Sequence, residues 1–473
     1  MKIVFSSRPL RTFIRPFEVF MDLYNKKISV FGLGVSGRSA LKFLAQEGAD
    51  LSVVNQGDPA AWDNLAGITA DVDLANCWNE NAASEHLAQS SLIILGPGIP
   101  RTHPTLRLAH GRGVKIWSEI ELAARFCEVP IIAVTGTNGK TTTVTLLGEM
   151  LKNCGHNPFV GGNIGTPFCD FAMQVDRKKY DYVVLELSSF QLESLENFSP
   201  HIAILLNLSP SHGERYAKFS DYARAKFHIA DGMDLDDYLL FAKGGPLITE
   251  WLPSVSAQKW KVDTQASDLL RAEILKNYSL QSFQLLGEHN LVNLYFAIQA
   301  LEFLDIRGAG IQKTIDEFRA PAHRLEKVPG DFPFTAYNDA KSTNWQSTMT
   351  ALAGLAPYKK GLALILGGQF RGTGDELGEY LPLLGEYVER IFLIGESTDN
   401  LALELAGTMT IEKSYSLERV LEYCRNNEFS GTLLLSPGLP SFDQYANYEK
   451  RGEHFKNLLK NWSLYGEENT PIP

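Results

Sequence analysis

With 473 residues, 44% hydrophobic and 21% charged, the chain reads as an ordinary globular protein too long for one core, and about three domains are expected. The formal net charge of −11 lacks the basic footprint of a general nucleic-acid binder. No apolar run approaches the roughly 20 residues that span a bilayer, and the five cysteines (Cys77, Cys127, Cys154, Cys169 and Cys424) show no metal-ligand spacing, as for free thiols of a reducing, cytoplasmic setting.

Residues 1–20 carry Lys2, Arg8, Arg11 and Arg15 against a single acid, Glu18. Pro9 and the arginines interrupt the apolar stretch a signal peptide needs. Residues 1–20 are therefore expected to be a disordered extension or to precede a true start at Met21, and 1–26 are set apart from the first domain as that extension.

Short apolar runs at 28–31, 51–54 and 92–95 predict a small parallel sheet. The first run leads into Val30-Phe-Gly-Leu-Gly-Val-Ser-Gly37, a Gly-x-Gly-x-x-Gly turn between a strand and a helix. A Rossmann dinucleotide site expects an acid about 20 positions on, to hold a ribose. The matching strand end is Asn55-Gln56-Gly57, with no acid until Asp58. A diphosphate such as that of a UDP-sugar fits this turn as well as NAD does, and a tight turn without a ligand is a third reading.

A second set of strand-like runs is 131–135, 182–187, 202–206 and 238–241. The first meets Gly136-Thr-Asn-Gly-Lys-Thr141, then Thr142 and a helical stretch over 144–153. This layout is a phosphate cradle. Gly136 and Gly139 let backbone N–H groups approach phosphate oxygens, the helix presents its positive N-terminus, and Lys140 adds a mobile charge. The Thr141 hydroxyl is placed to hold Mg²⁺. The longer P-loop pattern wants one more glycine, where Val134 stands.

Glu186 ends the apolar run 182–187, where ligands of open parallel sheets bind, and suits Mg²⁺ beside Thr141. On residues alone, a solvated strand end is the lesser alternative for Glu186, whereas His212 reads more as a structural histidine and Lys226 as an ordinary surface lysine. Asn290 and Asn293 share a helix face, fit either to pair with an adenine edge or to cap the helix. A third set of runs is 335–338, 362–366, 391–394 and 432–435. Proline breaks the periodicity near 127–130 and 320–321, so the predicted domains are 27–127, 128–320 and 321–473. The fold class is α/β throughout: a Rossmann-like first domain, a central P-loop domain with a mostly parallel sheet, and a Rossmann-like C-terminal domain.

Read together, Thr135–Thr141, Gly161-Gly-Asn-Ile-Gly165, Glu186-Leu-Ser-Ser-Phe-Gln-Leu192 and 287–293 resemble the Mur ligases of peptidoglycan synthesis. Pro321-Ala-His-Arg-Leu-Glu326, Asn338-Asp-Ala-Lys-Ser-Thr-Asn344 and Leu366-Gly-Gly368 extend the match. The closing Ser441-Phe-Asp-Gln-Tyr445 and Tyr448-Glu-Lys-Arg-Gly452 are most like the member that adds D-glutamate. The resemblance runs from about residue 27 to the C-terminus.

It implies a cytoplasmic, monomeric ligase acting on UDP-N-acetylmuramoyl-L-alanine and glutamate through an acyl phosphate made from ATP. Gly136, Thr137, Asn138, Gly139, Lys140, Thr141 and Thr142 would hold ATP, with Asn290, Asn293, Arg324 and Asp339 taking adenine, phosphate and ribose. Thr141 and Glu186 would bind one Mg²⁺; His212 and a carbamate on Lys226 would bind a second. Val35, Ser36, Gly98, Asn163, Ser188 and Gln191 would contact the UDP-substrate. Lys341 would stand on the reacting side, and Thr343, Arg371, Ser441, Phe442 and Tyr448 would receive the amino acid.

The chain departs from the family pattern at four places. An acid usually precedes the metal-binding histidine, where Ser211 stands; the uracil-contacting Asp-Thr-Arg run is Asn55-Gln56-Gly57; a Ser-Pro-Gly turn is Gly96-Pro97-Gly98; and the lysine expected after Gly-Gly is replaced by Arg371. Arginine grips a carboxylate as a fork, with a different reach from lysine. A relative adding L-glutamate is therefore an alternative. A folylpolyglutamate synthase would lack the 27–127 segment, and a non-catalytic nucleotide binder would not be expected to keep Lys140, Glu186, His212 and Lys226 together.

Overall fold

The computed structural model describes residues 21–59, 62, 76–213, 215–244, 246–319, 322–355, 361–370 and 377–462. Arg371 and residues 1–20 of the expected extension lie outside them.

Three sheets follow one another along the chain. The first contains β1 (Lys27–Phe31), β2 (Asp50–Asn55), β3 (Cys77–Asn79), β4 (Leu92–Leu95) and β5 (Lys115–Trp117), all parallel in the order β3-β2-β1-β4-β5. The second contains β6 (Ile131–Thr135), β7 (Pro158–Gly162), β8 (Tyr182–Glu186), β9 (Ile202–Leu205), β10 (Tyr238–Ala242) and β11 (Gln258–Val262), parallel in the order β11-β10-β9-β6-β8-β7. The third contains β12 (Glu326–Val328), β13 (Phe334–Asn338), β14 (Leu362–Gly367), β15 (Arg390–Ile394), β16 (Thr410–Tyr415) and β17 (Gly431–Gly438), ordered β12-β13-β17-β14-β15-β16 with β12 antiparallel. Each of the eleven sequence-predicted runs falls on one of these strands. Their β-branched and leucine-rich interiors are buried on both faces, as parallel strands between helices must be.

Helices cover the sheets with one apolar face each. In Val35–Gln46, Ala40, Leu41, Phe43 and Leu44 are buried, and Gly37 allows close packing because a Cβ there would strike the Gly32 carbonyl. In Leu417–Asn426, buried Leu417, Val420, Leu421 and Cys424 recur at helical spacing.

The described residues form two compact units. One takes the chain to Tyr278 together with Asn293–Thr314 and holds the first two sheets; the other takes Ser279–Val292 and the chain from Ile315 onward. Within the first unit an apolar cluster runs from Leu23, 2% exposed, through Trp117, Phe126 and Phe168 into the second sheet, so the fold begins ahead of β1.

Polar groups join the same two sheets. Ser39 donates to Asp170, and the backbone N–H of Cys169 donates to Glu119. The buried Glu121 carboxylate accepts the N–H groups of Glu196, Asn197 and Phe198 at 2.9–3.1 Å and pairs with Arg125 at 2.6 Å. Desolvation pushes the Glu119 carboxyl up from 4.5 to about 7, against the Cys169 hydrogen bond. The native state then binds the extra proton between those values. Its stabilising contribution is complete below pH 4.5 and is lost as the pH rises through 7. The span corresponds to about 3 kcal/mol. Glu119→Gln keeps an acceptor for Cys169. It is expected to flatten the fall in thermal midpoint between about pH 5 and pH 8; an unchanged slope would contradict this.

Candidate active site

The first Gly-rich turn leaves β1 beside β4, where the strand order of the first sheet reverses and open α/β sheets bind ligands. Val35 is 73% exposed at the start of its helix, with Ser36 half-buried beside it. Asn55, standing where an acid was sought, uses its side-chain oxygen to accept the Leu33 N–H at 3.3 Å, so it supports the turn itself. The exposed Gly98 lies just past β4.

The phosphate cradle leaves the central strand β6. The helix following it is Lys140–Asn153, longer at its N-terminus than the expected 144–153. Its N-cap is Gly139, at φ 86°, where a Cβ would also run into the Asn293 amide. Gly139→Ala is expected to lower ATP affinity about tenfold, because left-handed backbone and the displaced amide both oppose the fit. Calorimetric titration with ATP would show this, and an unchanged affinity would contradict it.

Lys140 Nζ folds back to donate to the carbonyls of Gly136 at 2.8 Å and Thr137 at 2.9 Å, inside the concavity a phosphate would fill. Asn207, just past β9, brackets the turn: it accepts the Asn138 N–H at 2.8 Å and donates to the Asn138 carbonyl at 2.9 Å. Thr137 shares its hydroxyl with Tyr222 at 3.1 Å, and Thr142 is buried in the first helical turn. Asn207 and Tyr222 were missed by motif reading. The one available signal was an amide directly after an apolar strand.

Glu186 is the hub of the site. It is 2% exposed at the end of β8, the strand beside β6. Its Oε2 accepts the Thr141 hydroxyl at 2.6 Å and its Oε1 accepts the Asn163 amide at 2.8 Å. Thr141, expected to share one Mg²⁺ with Glu186, and Asn163, expected to contact the UDP-substrate, therefore meet on this one carboxylate. Ser188 and Gln191 form a capping box on the short helix Ser189–Leu192: the Ser188 oxygen accepts the Gln191 N–H at 3.2 Å, and the Gln191 side-chain oxygen accepts the Ser188 N–H at 3.0 Å.

Lys226 is 2% exposed on the helix Phe219–Phe227, with Nζ 3.5 Å from the Thr135 hydroxyl. Desolvation holds its pKa well below the usual lysine value, reinforced by the Lys140 charge and opposed by Glu186. A lysine buried beside a phosphate cradle, with its charge disfavoured, is no surface lysine. His212 is exposed, in a left-handed conformation at φ 59°, its ring 4.8 Å from that of Phe190.

Among the described residues no three His, Cys, Asp or Glu side chains gather as a metal site. The donors that do gather are the hard oxygens of Thr141 and Glu186, which suits Mg²⁺ held by few protein groups and by phosphates.

The second unit gathers most of the remaining candidates at the C-terminal ends of its strands. Lys341 Nζ sits 3.9 Å from the Tyr448 ring centroid, a cation–π contact. Thr343 is half-buried, Ser441 is 2% exposed and Phe442 is 66% exposed. The Asp339 carboxylate accepts the Ser342 hydroxyl at 2.5 Å, the Ser436 hydroxyl at 2.7 Å and the Leu325 N–H at 3.1 Å, and desolvation raises its pKa to about 6. The neighbouring Arg324 is half-buried. On the helix Glu288–Phe303, the Asn290 amide donates to the Leu286 carbonyl at 2.7 Å; Asn290 groups with the second unit and Asn293 with the first.

A phosphate cradle joined to a buried carboxylate, in a chain of three α/β sheets, fits a phosphoryl-transferring enzyme, the class to which ATP-dependent ligases belong. Residues 134–301 match the family model of the Mur ligase middle domain, and 26–118 that of the MurD-like Mur ligase N-terminal domain. A relative from Geotalea uraniireducens named UDP-N-acetylmuramoylalanine–D-glutamate ligase is 34% identical over 457 residues, covering 93% of this chain and 98% of its own. One of the same name from Pelobacter propionicus is 34% identical over 461 residues, covering 93% and 100%. The fold is that of MurF from Thermotoga maritima, solved with ADP: TM-score 0.56 at 13% identity, covering 93% of this chain and 96% of that one. The chain belongs to the Mur ligase family, and it is an ATP-dependent ligase of peptidoglycan precursor synthesis. Among the described residues no helix is long and apolar enough to cross a membrane.

Proposed function

We propose that the chain joins D-glutamate to UDP-N-acetylmuramoyl-L-alanine, converting ATP to ADP and phosphate. The observation that carries this reading is the Glu186 hub. One oxygen faces the nucleotide side through Thr141 and the other faces the acceptor side through Asn163, so the γ-phosphate and the acceptor carboxylate would meet there. Full-length relatives named for this reaction support the choice of substrates.

The substrate carboxylate attacks the γ-phosphorus and ADP leaves. The amine of glutamate then attacks the acyl carbon, phosphate leaves, and the amine proton passes to solvent. Carboxylates are poor electrophiles, and the phosphate makes the leaving group. Lys140 neutralises the transferring oxygens, and the cradle N–H groups hold the triphosphate in line. Thr141 and Glu186 would hold one Mg²⁺, and His212 with a carbamate on Lys226 a second; when bound, these ions supply charge neutralisation at the phosphoryl group. Val35, Ser36, Gly98, Asn163, Ser188 and Gln191 would seat the UDP-substrate. Asn290, Asn293, Arg324 and Asp339 would serve the nucleotide. Lys341, Thr343, Arg371, Ser441, Phe442 and Tyr448 would serve the amino acid. The protein would act as a cytoplasmic monomer.

Arg371 in place of the usual lysine favours one second reading, the same reaction with L-glutamate. Incubation with ATP, Mg²⁺, UDP-N-acetylmuramoyl-L-alanine and either glutamate isomer separates the two. The D-isomer alone is expected to yield the dipeptide product; product from the L-isomer alone selects the second reading, and product from neither overturns both.

A further inference from the structure

Arg215 has no place in the reading above, yet its side chain bonds to two other segments beside the His212 turn. Its side chain is 12% exposed. Nε donates to Glu193 Oε1 at 3.3 Å and Nη2 to Oε2 at 2.6 Å, a forked ion pair. The same guanidinium donates to two carbonyls of the turn after β4: Nη1 to Gly98 at 3.4 Å and Nη2 to Ile99 at 3.1 Å. Its carbon lies 5.0 Å from the Phe190 ring centroid, and the Phe190 ring meets the His212 ring nearly edge-on at 4.8 Å. The Arg215 N–H closes the turn onto the His212 carbonyl at 2.9 Å. Arg101 reaches the same place from the first sheet, donating to the Glu193 carbonyl at 3.1 Å.

Three segments converge on this one side chain. The His212 turn carries a candidate metal ligand. The Phe190–Glu193 segment follows the Glu186 hub and the Ser188 capping box. The Gly98–Ile99 turn lies at the strand-order reversal of the first sheet, where the UDP-substrate is placed above. An exposed histidine in a left-handed turn gets no rigidity from a helix or strand of its own, and the Phe190 ring under its guanidinium cover provides a fixed wall. We infer that Arg215 is a positioning residue that locks the His212 turn, the Phe190–Glu193 segment and the Gly98–Ile99 turn into one register and thereby sets affinity for the anionic UDP-substrate.

The inference rests on the proposed seat of that substrate in the first sheet. The test is calorimetric titration of wild type, Arg215→Gln, Arg215→Lys and Glu193→Gln with UDP-N-acetylmuramoyl-L-alanine in the absence of nucleotide, and separately with ATP. Arg215→Gln is expected to weaken UDP-substrate binding about tenfold, as loss of a part-buried forked pair would. ATP affinity is expected to stay within about twofold, since the cradle is bracketed by other residues. Lysine, which keeps the charge but not the fork, is expected to fall between. Should Arg215→Gln fail to fold, Glu193→Gln still breaks the fork and is expected to shift binding the same way by a smaller factor. UDP-substrate binding unchanged in the folded variants overturns the role of Arg215, as does an equal loss of both ligands. A wild type that does not bind the UDP-substrate at all overturns the proposed function, and this inference with it.

Discussion

Replacing Lys226 by alanine is expected to lower turnover by at least about 100-fold, the upper end of the loss when a metal site loses a supporting group. A lysine 2% exposed, with its charge disfavoured by burial and by Lys140, is a poor structural choice unless its chemistry is used. The amine lies within 3.5 Å of the Thr135 hydroxyl at the root of the cradle. A carbamate there would turn an unwelcome cation into an anionic oxygen ligand. Lys226→Glu places a carboxylate on a shorter stem and is expected to recover part of the lost rate. Lys226→Met fills the same volume without a ligand and is expected to recover none. Steady-state rates at saturating substrates, with thermal melting to confirm folding, check the series. Full activity in Lys226→Met would remove the residue from the chemistry.

The second large effect is expected at Glu186. Glu186→Gln preserves size but offers one acceptor and one NH₂. If the amide oxygen faces the Asn163 amide, the NH₂ faces Thr141, whose hydroxyl can rotate to accept it, so the fold is expected to survive with a melting point within a few degrees of wild type. The lost charge cannot be replaced. The Mg²⁺ concentration for half-maximal rate is expected to rise, and the maximal rate to fall by at least about 100-fold. Magnesium titrations of activity check this. A wild-type magnesium dependence in the glutamine variant would show that Glu186 serves the fold alone.

The strands that were legible in the sequence and those that were not divide along a physical line. The eleven predicted runs lie on strands such as β1, β6 and β14, whose apolar interiors are visible without any knowledge of neighbours. The six strands without a predicted run (β3, β5, β7, β11, β12 and β16) are the edges of the three sheets. Edge strands are covered less completely and carry polar residues, as in Gln258–Val262 and Thr410–Tyr415, so no apolar run marks them.

The site divides similarly. The cradle was legible because backbone geometry demands its glycines. Lys226 was not, because nothing in Tyr222–Phe227 shows that the helix turns this lysine inward, and only the resemblance to a family singled it out. Glu186 was legible as a strand-end acid beside the cradle, but its bond to Asn163 was not, because that contact comes from a separate turn. Asn207 and Arg215 act through contacts from other strands and turns, which spacing along the chain does not encode. The capping box of Ser188 and Gln191 is local, a Ser-x-x-Gln spacing that the chain itself carries.

The central claim is ligation through an acyl phosphate formed at the Glu186 hub. It is tested most directly with UDP-N-acetylmuramoyl-L-alanine carrying ¹⁸O in its alanyl carboxylate, together with ATP, Mg²⁺ and D-glutamate. One labelled oxygen per released phosphate is predicted, because the carboxylate oxygen that attacks the γ-phosphorus leaves with it. Unlabelled phosphate accompanying amide formation would contradict the account.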